Sequence, residues 1–165
     1  MLKTYSVSCH CGRLHAKFRR QQHLPLTLWD CNCSDCAMRR NVHFMVRMTD
    51  FWFVDGAESA DATTEKDSND NTASMSAKEK FEHESILYQW GTKTAVRRFC
   101  RICGILPFYI PRSNPDGYAI TFPCVDWGED GPPPTEVRLF DGVNWEKSHS
   151  ATGIAGETAN DSVPS

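Results

Sequence analysis

The sequence has no long hydrophobic run and little excess charge, and both absences limit the class of protein. No apolar run approaches the ~20 residues that a membrane span needs, so we expect no membrane-spanning segment. The formal net charge is -3 and the pI is about 6.0, so the surface offers no general attraction for nucleic acid or anionic lipid. Residues 1–5 lack the basic and then apolar layout of a signal peptide. We therefore expect a cytoplasmic protein.

Cysteine, by contrast, is abundant, with 8 residues in 165. Seven of them form a C-x-C pair, a C-x-C-x-x-C triplet and a C-x-x-C pair: Cys9 and Cys11, then Cys31, Cys33 and Cys36, then Cys100 and Cys103. In a reducing compartment such clusters indicate metal binding, and a disulfide within C-x-C would be strained. Thiolate ligands around a redox-silent ion favour zinc. We therefore expect zinc as the cofactor.

The first and last cysteine pairs can satisfy each other. Each pair supplies two ligands, and each is followed by a glycine that permits a tight turn, Gly12 or Gly104. Four thiolates around one ion form the closed, structural type of zinc site. Binding of this kind contributes on the order of 10 kcal/mol to the folding of small zinc peptides. The spacing therefore predicts a structural zinc that ties the first strand to a strand late in the chain.

The cysteine triplet would then bind a second ion with three sulfurs. An open fourth position is typical of a catalytic zinc, because substrate or water can enter it. Alternatively the fourth ligand is internal, and the site is then structural. The sequence offers three candidates for that ligand: Cys124, His43 and His10. Both interpretations stay open at this point.

Short alternating patterns of apolar residues predict about nine strands and little helix, so we expect a mainly β fold. One short helix is predicted over residues 35–40, with Ser34 as its N-cap. Residues 57–80 contain one large apolar residue, Met75, and predict a disordered insertion. Residues 148–165 are small and polar and predict a disordered tail. We therefore expect a single zinc-binding domain over residues 1–147.

The order C-x-C-G, C-x-C-x-x-C and C-x-x-C-G resembles the glutathione-dependent formaldehyde-activating enzyme family, which includes centromere protein V. The likeness covers roughly residues 5–147 apart from residues 57–80. Other stretches resemble the centromere protein V branch: DCNCS at 30–34, HF at 43–44, FY at 108–109, PRSNP at 111–115 and NWEK at 144–147. The resemblance implies a β-tent fold, in which small antiparallel sheets are stacked and held by zinc.

The resemblance also implies two zinc ions and an activity. The two cysteine pairs would hold the structural ion, and the triplet would hold the catalytic one. The implied activity is that of a carbon–sulfur lyase, which forms or cleaves S-(hydroxymethyl)glutathione from glutathione and formaldehyde. The alternative is a non-enzymatic zinc scaffold of the centromere protein V type, associated with chromatin or the cytoskeleton and located in the nucleus. An acidic insertion would repel phosphate, so we do not expect a nucleic-acid partner.

The negative charge of the triplet predicts further site residues. A zinc with four thiolates carries a formal charge of -2, so a cation must lie nearby. Arg39 and Arg40 follow Cys36 within a helical turn, and we expect one of them to compensate the charge or hold a substrate carboxylate. His43 is either a proton shuttle or a hydrogen-bonded structural residue. Arg112 either contacts a substrate carboxylate or belongs to a rigid turn.

Overall fold

The structure is a computed structural model that describes residues 1–55 and 74–159. Within those ranges the chain forms two sheets, of four and seven strands, and three α-helices. The predicted mainly β fold is confirmed. The predicted boundary at residue 57 and most of the predicted insertion lie outside the described residues.

The smaller sheet is antiparallel and has the strand order β10-β1-β2-β5. Strands β1 and β2 are paired along their whole length, from Leu2 opposite Gln21 to Ser8 opposite His15. The alternation predicted for the second strand is confirmed, because Ala16 and Phe18 have no exposed surface. Its strands are β1 (Leu2–Ser8), β2 (His15–Gln21), β5 (Phe51–Phe53) and β10 (Val125–Asp126).

The larger sheet has the order β11-β3-β4-β9-β8-β7-β6. Its strands are β3 (Leu26–Cys31), β4 (Val42–Arg47), β6 (Ser85–Tyr88), β7 (Val96–Cys100), β8 (Phe108–Ile110), β9 (Gly117–Thr121) and β11 (Thr135–Phe140).

One strand pair departs from the expected antiparallel sheets, because β11 runs parallel to β3. Parallel neighbours need a long crossover, and here it spans residues 32–134, which contain strands of both sheets, the last of them β10 of the smaller one. The proline-rich connector then returns the chain to the start of β3, where the Pro134 carbonyl accepts from the Leu26 amide at 2.8 Å.

Two groups of buried residues make up the core. The larger group contains the rings of Phe18, Phe44 and Phe108, together with three of the paired cysteines. The smaller group surrounds the cysteine triplet and includes Trp29 and Tyr109. The two cysteine clusters therefore lie in different parts of the core.

Three helices complete the fold: α1 (Ser34–Arg39), α2 (Ala77–His83) and α3 (Trp145–Thr152). Helix α1 begins one residue earlier than predicted, because the Cys33 sulfur, and not the Ser34 hydroxyl, caps it by accepting from the Cys36 amide. No helix in the described ranges is long and apolar enough to cross a bilayer.

Helix α2 begins inside the segment that the sequence predicted to be a disordered insertion. Residues 77–80 are helical, so disorder is wrong for them. Ser76 and Glu79 form a reciprocal capping box, and Phe81 is 7% exposed in the larger core group. The cap and this single anchoring ring hold a segment that is otherwise polar.

The predicted disordered tail is also wrong over residues 148–159. Helix α3 continues into a 3-10 turn, Ile154–Glu157, and Ile154 is 2% exposed. Asn114 is fully buried and donates to the Ile154 carbonyl and to the Thr158 hydroxyl, both at 2.9 Å. The hydroxyl of Thr158 in turn donates to Asp116 at 2.6 Å. The tail is ordered by polar contacts with a distant loop, which its own composition does not reveal.

We expect Asn114→Ala to release this tail. The substitution leaves the Ile154 carbonyl without its buried donor, which should cost about 1–3 kcal/mol of unfolding free energy. Hydrogen exchange of the amides in residues 145–158 should accelerate while exchange in β1 and β2 stays slow. Ser150→Ala, on the exposed face of α3, is the matched control. Equal exchange in the two variants would contradict the role of Asn114.

Candidate metal centres and cavity

The structure brings together the four paired cysteines predicted to form one site. The sulfurs of Cys9, Cys11, Cys100 and Cys103 all lie within 4.8 Å of one another. The Cys9–Cys11 distance is 3.6 Å and the Cys11–Cys100 distance is 3.5 Å. A tetrahedral zinc with bonds of about 2.3 Å places its sulfurs about 3.8 Å apart. The four donors therefore fit a metal ion of this kind.

Two similar turns present these sulfurs. Gly12 and Gly104 have φ values of 79° and 72°, in the left-handed region that favours glycine. Their amides donate to the carbonyls of Cys9 and Cys100, both at 3.0 Å. The Leu14 amide also points at the Cys9 sulfur, at 3.3 Å. The matching C-x-C-G and C-x-x-C-G motifs thus fold into matching halves of one site.

Burial disfavours the thiolate form of these cysteines unless a cation is present. Burial raises the pKa of Cys9 and of Cys100. It also acts to raise the pKa of Cys103, but backbone hydrogen bonds at Cys11 and Ile105 outweigh it and lower that pKa to about 7. A dication would remove the cost of holding the four groups as thiolates.

The cysteine triplet forms a second cluster. The sulfurs of Cys31, Cys33 and Cys36 lie within 4.8 Å of one another, and all three residues are buried. Amides of the same segment point at them, from Cys33 to the Cys31 sulfur and from Cys36 to the Cys33 sulfur, each at 3.5 Å. Hydrogen bonding to its two neighbours and burial raise the pKa of Cys36. Three soft donors converge here, as a thiophilic metal requires.

No histidine, cysteine or carboxylate among residues 1–55 and 74–159 joins the triplet as a fourth ligand. Cys124 instead packs against the larger core group, and burial raises its pKa to about 11. His43 and His10 also lie outside the cluster. None of the three internal candidates from the sequence therefore belongs to the cluster that the described residues form.

Gly142 forms one wall of the triplet. A Cβ atom at this position would lie 2.6 Å from the Cys31 sulfur and 2.6 Å from the Cys33 Cβ. The neighbouring Asp141 holds the loop in place by accepting from the Asn32 side chain at 3.1 Å. Asp-Gly is a typical turn sequence, but the close approach to sulfur is what requires glycine here.

A cavity of about 280 Å³ opens onto the three sulfurs. Its walls combine aromatic rings with a few polar groups, as small-molecule sites usually do. The polar and aromatic lining residues include His43, Trp90, Arg97, Tyr109, Arg112 and Trp145. The triplet is therefore reachable by a small ligand.

The buried cation of the cavity is Arg97, which the sequence analysis missed. Arg97 is 7% exposed, and its Nε lies 2.6 Å from Asp35 Oδ2 as an ion pair. The predicted Arg39 pairs with the same carboxylate, with contacts of 3.0 and 2.7 Å. Arg40 is exposed and ends α1 in a left-handed conformation. Two guanidinium groups thus share one carboxylate beside the triplet, which leaves one positive charge in excess.

Arg97 and Arg39 differ in their access to the cavity. Arg97 lines it, with its guanidinium carbon 5.4 Å from the centroid of the Tyr109 ring. Arg39 is not among the lining residues, and its guanidinium carbon lies 5.6 Å from the Phe99 ring centroid. Arg97 can face a ligand directly, whereas Arg39 contacts the site through Asp35 and the Tyr109 ring, whose centroid lies 5.9 Å from its guanidinium carbon.

His43 and Tyr109 are buried side by side in the cavity wall. The ring nitrogens of His43 lie 3.3 Å from the Asn41 amide nitrogen and 3.5 Å from the Tyr109 hydroxyl. Burial and the Arg39 charge lower the pKa of His43 to about 4, so its ring is neutral at neutral pH. Burial raises the pKa of Tyr109, so its phenol keeps its proton.

Arg112 lies at the rim of the cavity, where the sequence had left its role open. Its guanidinium carbon lies 3.7 Å from the Trp145 ring centroid, and its Nη2 donates to Glu146 at 2.7 Å. The ring of Trp145 stacks on His149 at 4.5 Å. Helix α3, which the sequence analysis assigned largely to a disordered tail, thus supplies part of the rim.

We expect the two clusters to differ in their importance for folding. Cys100→Ser removes a ligand of the closed set, so it should lower the melting temperature by more than 10 °C, because a structural metal contributes folding energy. Cys33→Ser keeps an N-cap for α1 and should preserve the fold while losing metal from the triplet only. Metal content per chain and thermal unfolding measure both effects. Equal destabilisation by the two variants would contradict the division.

We also expect Gly142→Ala to empty the triplet. The added methyl group would collide with the Cys31 sulfur and push it out of position. Metal content should fall by about one ion per chain, with little change in melting temperature. Gly156→Ala is the matched control, because no atom lies within 4 Å of a Cβ at that position. Full metal content in the Gly142 variant would show that this wall is not needed.

The comparisons with known proteins extend only to the fold. No family model matches the chain. Among solved structures, the chain is similar to the crystal structure of a protein from Rhodobacter sphaeroides, with 25% identity and a TM-score of 0.50. The match covers 79% of this chain and 99% of that protein. The architecture described here is therefore shared with a protein from that bacterium.

Proposed function

We propose that the chain is a zinc-dependent carbon–sulfur lyase that forms or cleaves an adduct between a thiol and a small aldehyde. One observation carries the proposal. Three buried sulfurs without a fourth ligand from residues 1–55 or 74–159 face a cavity of about 280 Å³. The order of the cysteine motifs, which resembles the formaldehyde-activating family, supplies the type of reaction.

The donor set fits zinc in both clusters. Sulfur-only ligands select soft or borderline metals, and the sulfur separations of 3.5 and 3.6 Å in the four-cysteine cluster suit a tetrahedral ion. A zinc ion held by the triplet would take the substrate sulfur as its fourth ligand and keep it deprotonated. The paired cysteines would hold the structural ion.

The reaction conserves the oxidation state of every atom. The substrate sulfur forms a bond to the carbonyl carbon of the aldehyde, the carbonyl π bond breaks, and the oxygen takes up one proton. That proton balances the one lost by the thiol. Cleavage runs the same steps backwards, so a single set of residues serves both directions.

The residues of the cavity wall suit this proton transfer. Tyr109 keeps its phenolic proton and can donate it to the oxygen that becomes a hydroxyl. In this proposal the neutral ring of His43, whose Nε2 lies 3.5 Å from the Tyr109 hydroxyl, holds that phenol in position. The proton-shuttle and structural interpretations of His43 both remain compatible with this contact.

The cationic groups set the charge of the ligand that the cavity prefers. Arg97 lies in the wall and offsets the charge of the sulfurs, whereas Arg112 lies at the rim in an ion pair with the exposed Glu146. In this proposal a substrate carboxylate, as in glutathione, replaces Glu146 at Arg112, so the site prefers such a thiol over a neutral one. In this proposal Arg39 holds Asp35, and thereby Arg97, in place.

We expect thiol binding to be visible in the cobalt-substituted protein. Addition of glutathione should change the sulfur-to-cobalt charge-transfer bands of the wild type and leave those of Cys33→Ser unchanged. The exchange of formaldehyde between free and adduct forms, followed by NMR, should be accelerated by the zinc protein. Bands that do not respond to thiol, together with no acceleration, would refute the lyase and favour a zinc scaffold.

We expect Tyr109→Phe to separate binding from catalysis. Loss of the proton donor should lower the exchange rate by about 100-fold, while the cobalt bands still respond to glutathione. Tyr88→Phe is the matched control, because Tyr88 is 47% exposed in edge strand β6. An unchanged rate in the Tyr109 variant would remove this residue from the mechanism.

A further inference from the structure

The outer edge of β11 is open. Among residues 1–55 and 74–159, β11 is paired with β3 alone, and residues 135–139 are all exposed. Prolines at 132–134 end before the strand, and the strand itself has no lysine or proline. Lysine and proline are among the devices that prevent pairing at a sheet edge, and the charged residues of this strand are Glu136 and Arg138. Val137 and Leu139 also expose 57% and 78% of their surface.

The backbone of this edge is ready to pair. The carbonyls of Pro134 and Phe140 face β3, since they accept from the amides of Leu26 and Asn32 at 2.8 and 3.2 Å. Backbone groups alternate in direction along a strand, so the even-numbered residues between them also face β3. The residues whose amides and carbonyls point outward are Thr135, Val137 and Leu139.

We propose that β11 pairs antiparallel with β11 of a second copy of this chain, with the two-fold axis at Val137. In that register Val137 lies opposite itself, and Thr135 of each copy lies opposite Leu139 of the other. All three are outward-facing positions, so each opposed pair exchanges two backbone hydrogen bonds. The two larger sheets then join into one continuous sheet.

The charges of the strand select this partner and this register. With the axis at Val137, Glu136 of each copy lies opposite Arg138 of the other, in the closely spaced positions where side chains interact. An axis at Glu136 or Arg138 would place like charges opposite each other and turn the wrong backbone groups outward. Within one copy Glu136 and Arg138 form an ion pair at 3.2 Å, and with 64% and 48% of their side chains exposed both can also reach the partner strand. A strand that complements itself in this way fits a symmetric homodimer.

The dimer would act on the candidate site without taking part in chemistry. The last residue of β11, Phe140, packs in the core group of the cysteine triplet, and Gly142 follows two residues later against the Cys31 sulfur. Pairing along β11 would therefore stabilise the position of this strand and of Gly142, which follows it. The inference rests on the sheet edge alone and does not depend on the proposed reaction.

A charge-swap series tests the interface by sedimentation equilibrium of the full chain purified with its metal. The wild type should form a dimer. Glu136→Arg or Arg138→Glu alone should raise the dimer dissociation constant at least about tenfold, because like charges then face each other. The double variant should restore the wild-type value. Glu129→Arg, an exposed charge reversal outside β11, should have no effect.

A second variant tests the backbone. Val137→Pro removes an amide that points away from β3, so it should abolish the dimer while metal content and melting temperature stay unchanged. A wild-type chain that is monomeric up to millimolar concentration would overturn the proposal. So would a dimer that survives Val137→Pro and the single charge reversals, because it would use a different surface.

Discussion

A buried thiolate needs a compensating positive charge, and this requirement underlies the arrangement of both cysteine clusters. A thiolate removed from water is costly unless a cation compensates it. The four-cysteine cluster meets the condition with donors from both sheets: Cys9 and Cys11 follow β1 of the smaller sheet, and Cys100 ends β7 of the larger. A metal at this cluster would therefore join the two sheets. We expect the fold to depend on that link, because many of its strands are short.

The cysteine triplet differs from the four-cysteine cluster in where its sulfurs and its neighbouring charges come from. Its three donors come from one short segment, the end of β3 and the first turn of α1, so their mutual placement needs no distant partner. Its surroundings, in contrast, come from separate parts of the chain: Arg97 from β7, Tyr109 from β8 and Gly142 from the loop after β11. Local sequence supplies the ligands, and the tertiary fold supplies the cavity.

This division explains how much the sequence could predict. The ligand sets and the mainly β class follow from spacing and alternation, which are local. Arg97 occupies an ordinary position in a strand, and only packing shows that it is buried. The order of residues 148–159 depends on Asn114, which lies 40 residues before Ile154. Gly142 has a typical turn sequence, and its contact with Cys31 spans more than one hundred residues of the chain.

The two centres are also linked through β7. Arg97 lies in its second position and Cys100 in its last, so one short strand carries the buried cation of one centre and a ligand of the other.

Three thiolates with a dication leave a charge of -1, and a bound substrate thiolate makes it -2. Asp35 with Arg39 and Arg97 contributes +1 beside it. A lysine could not replace Arg97, because only the planar guanidinium can pair with the Asp35 carboxylate and lie over the Tyr109 ring at once. A metal held by the four paired cysteines would thereby also fix Arg97, whose charge offsets the negative charge of the cysteine triplet.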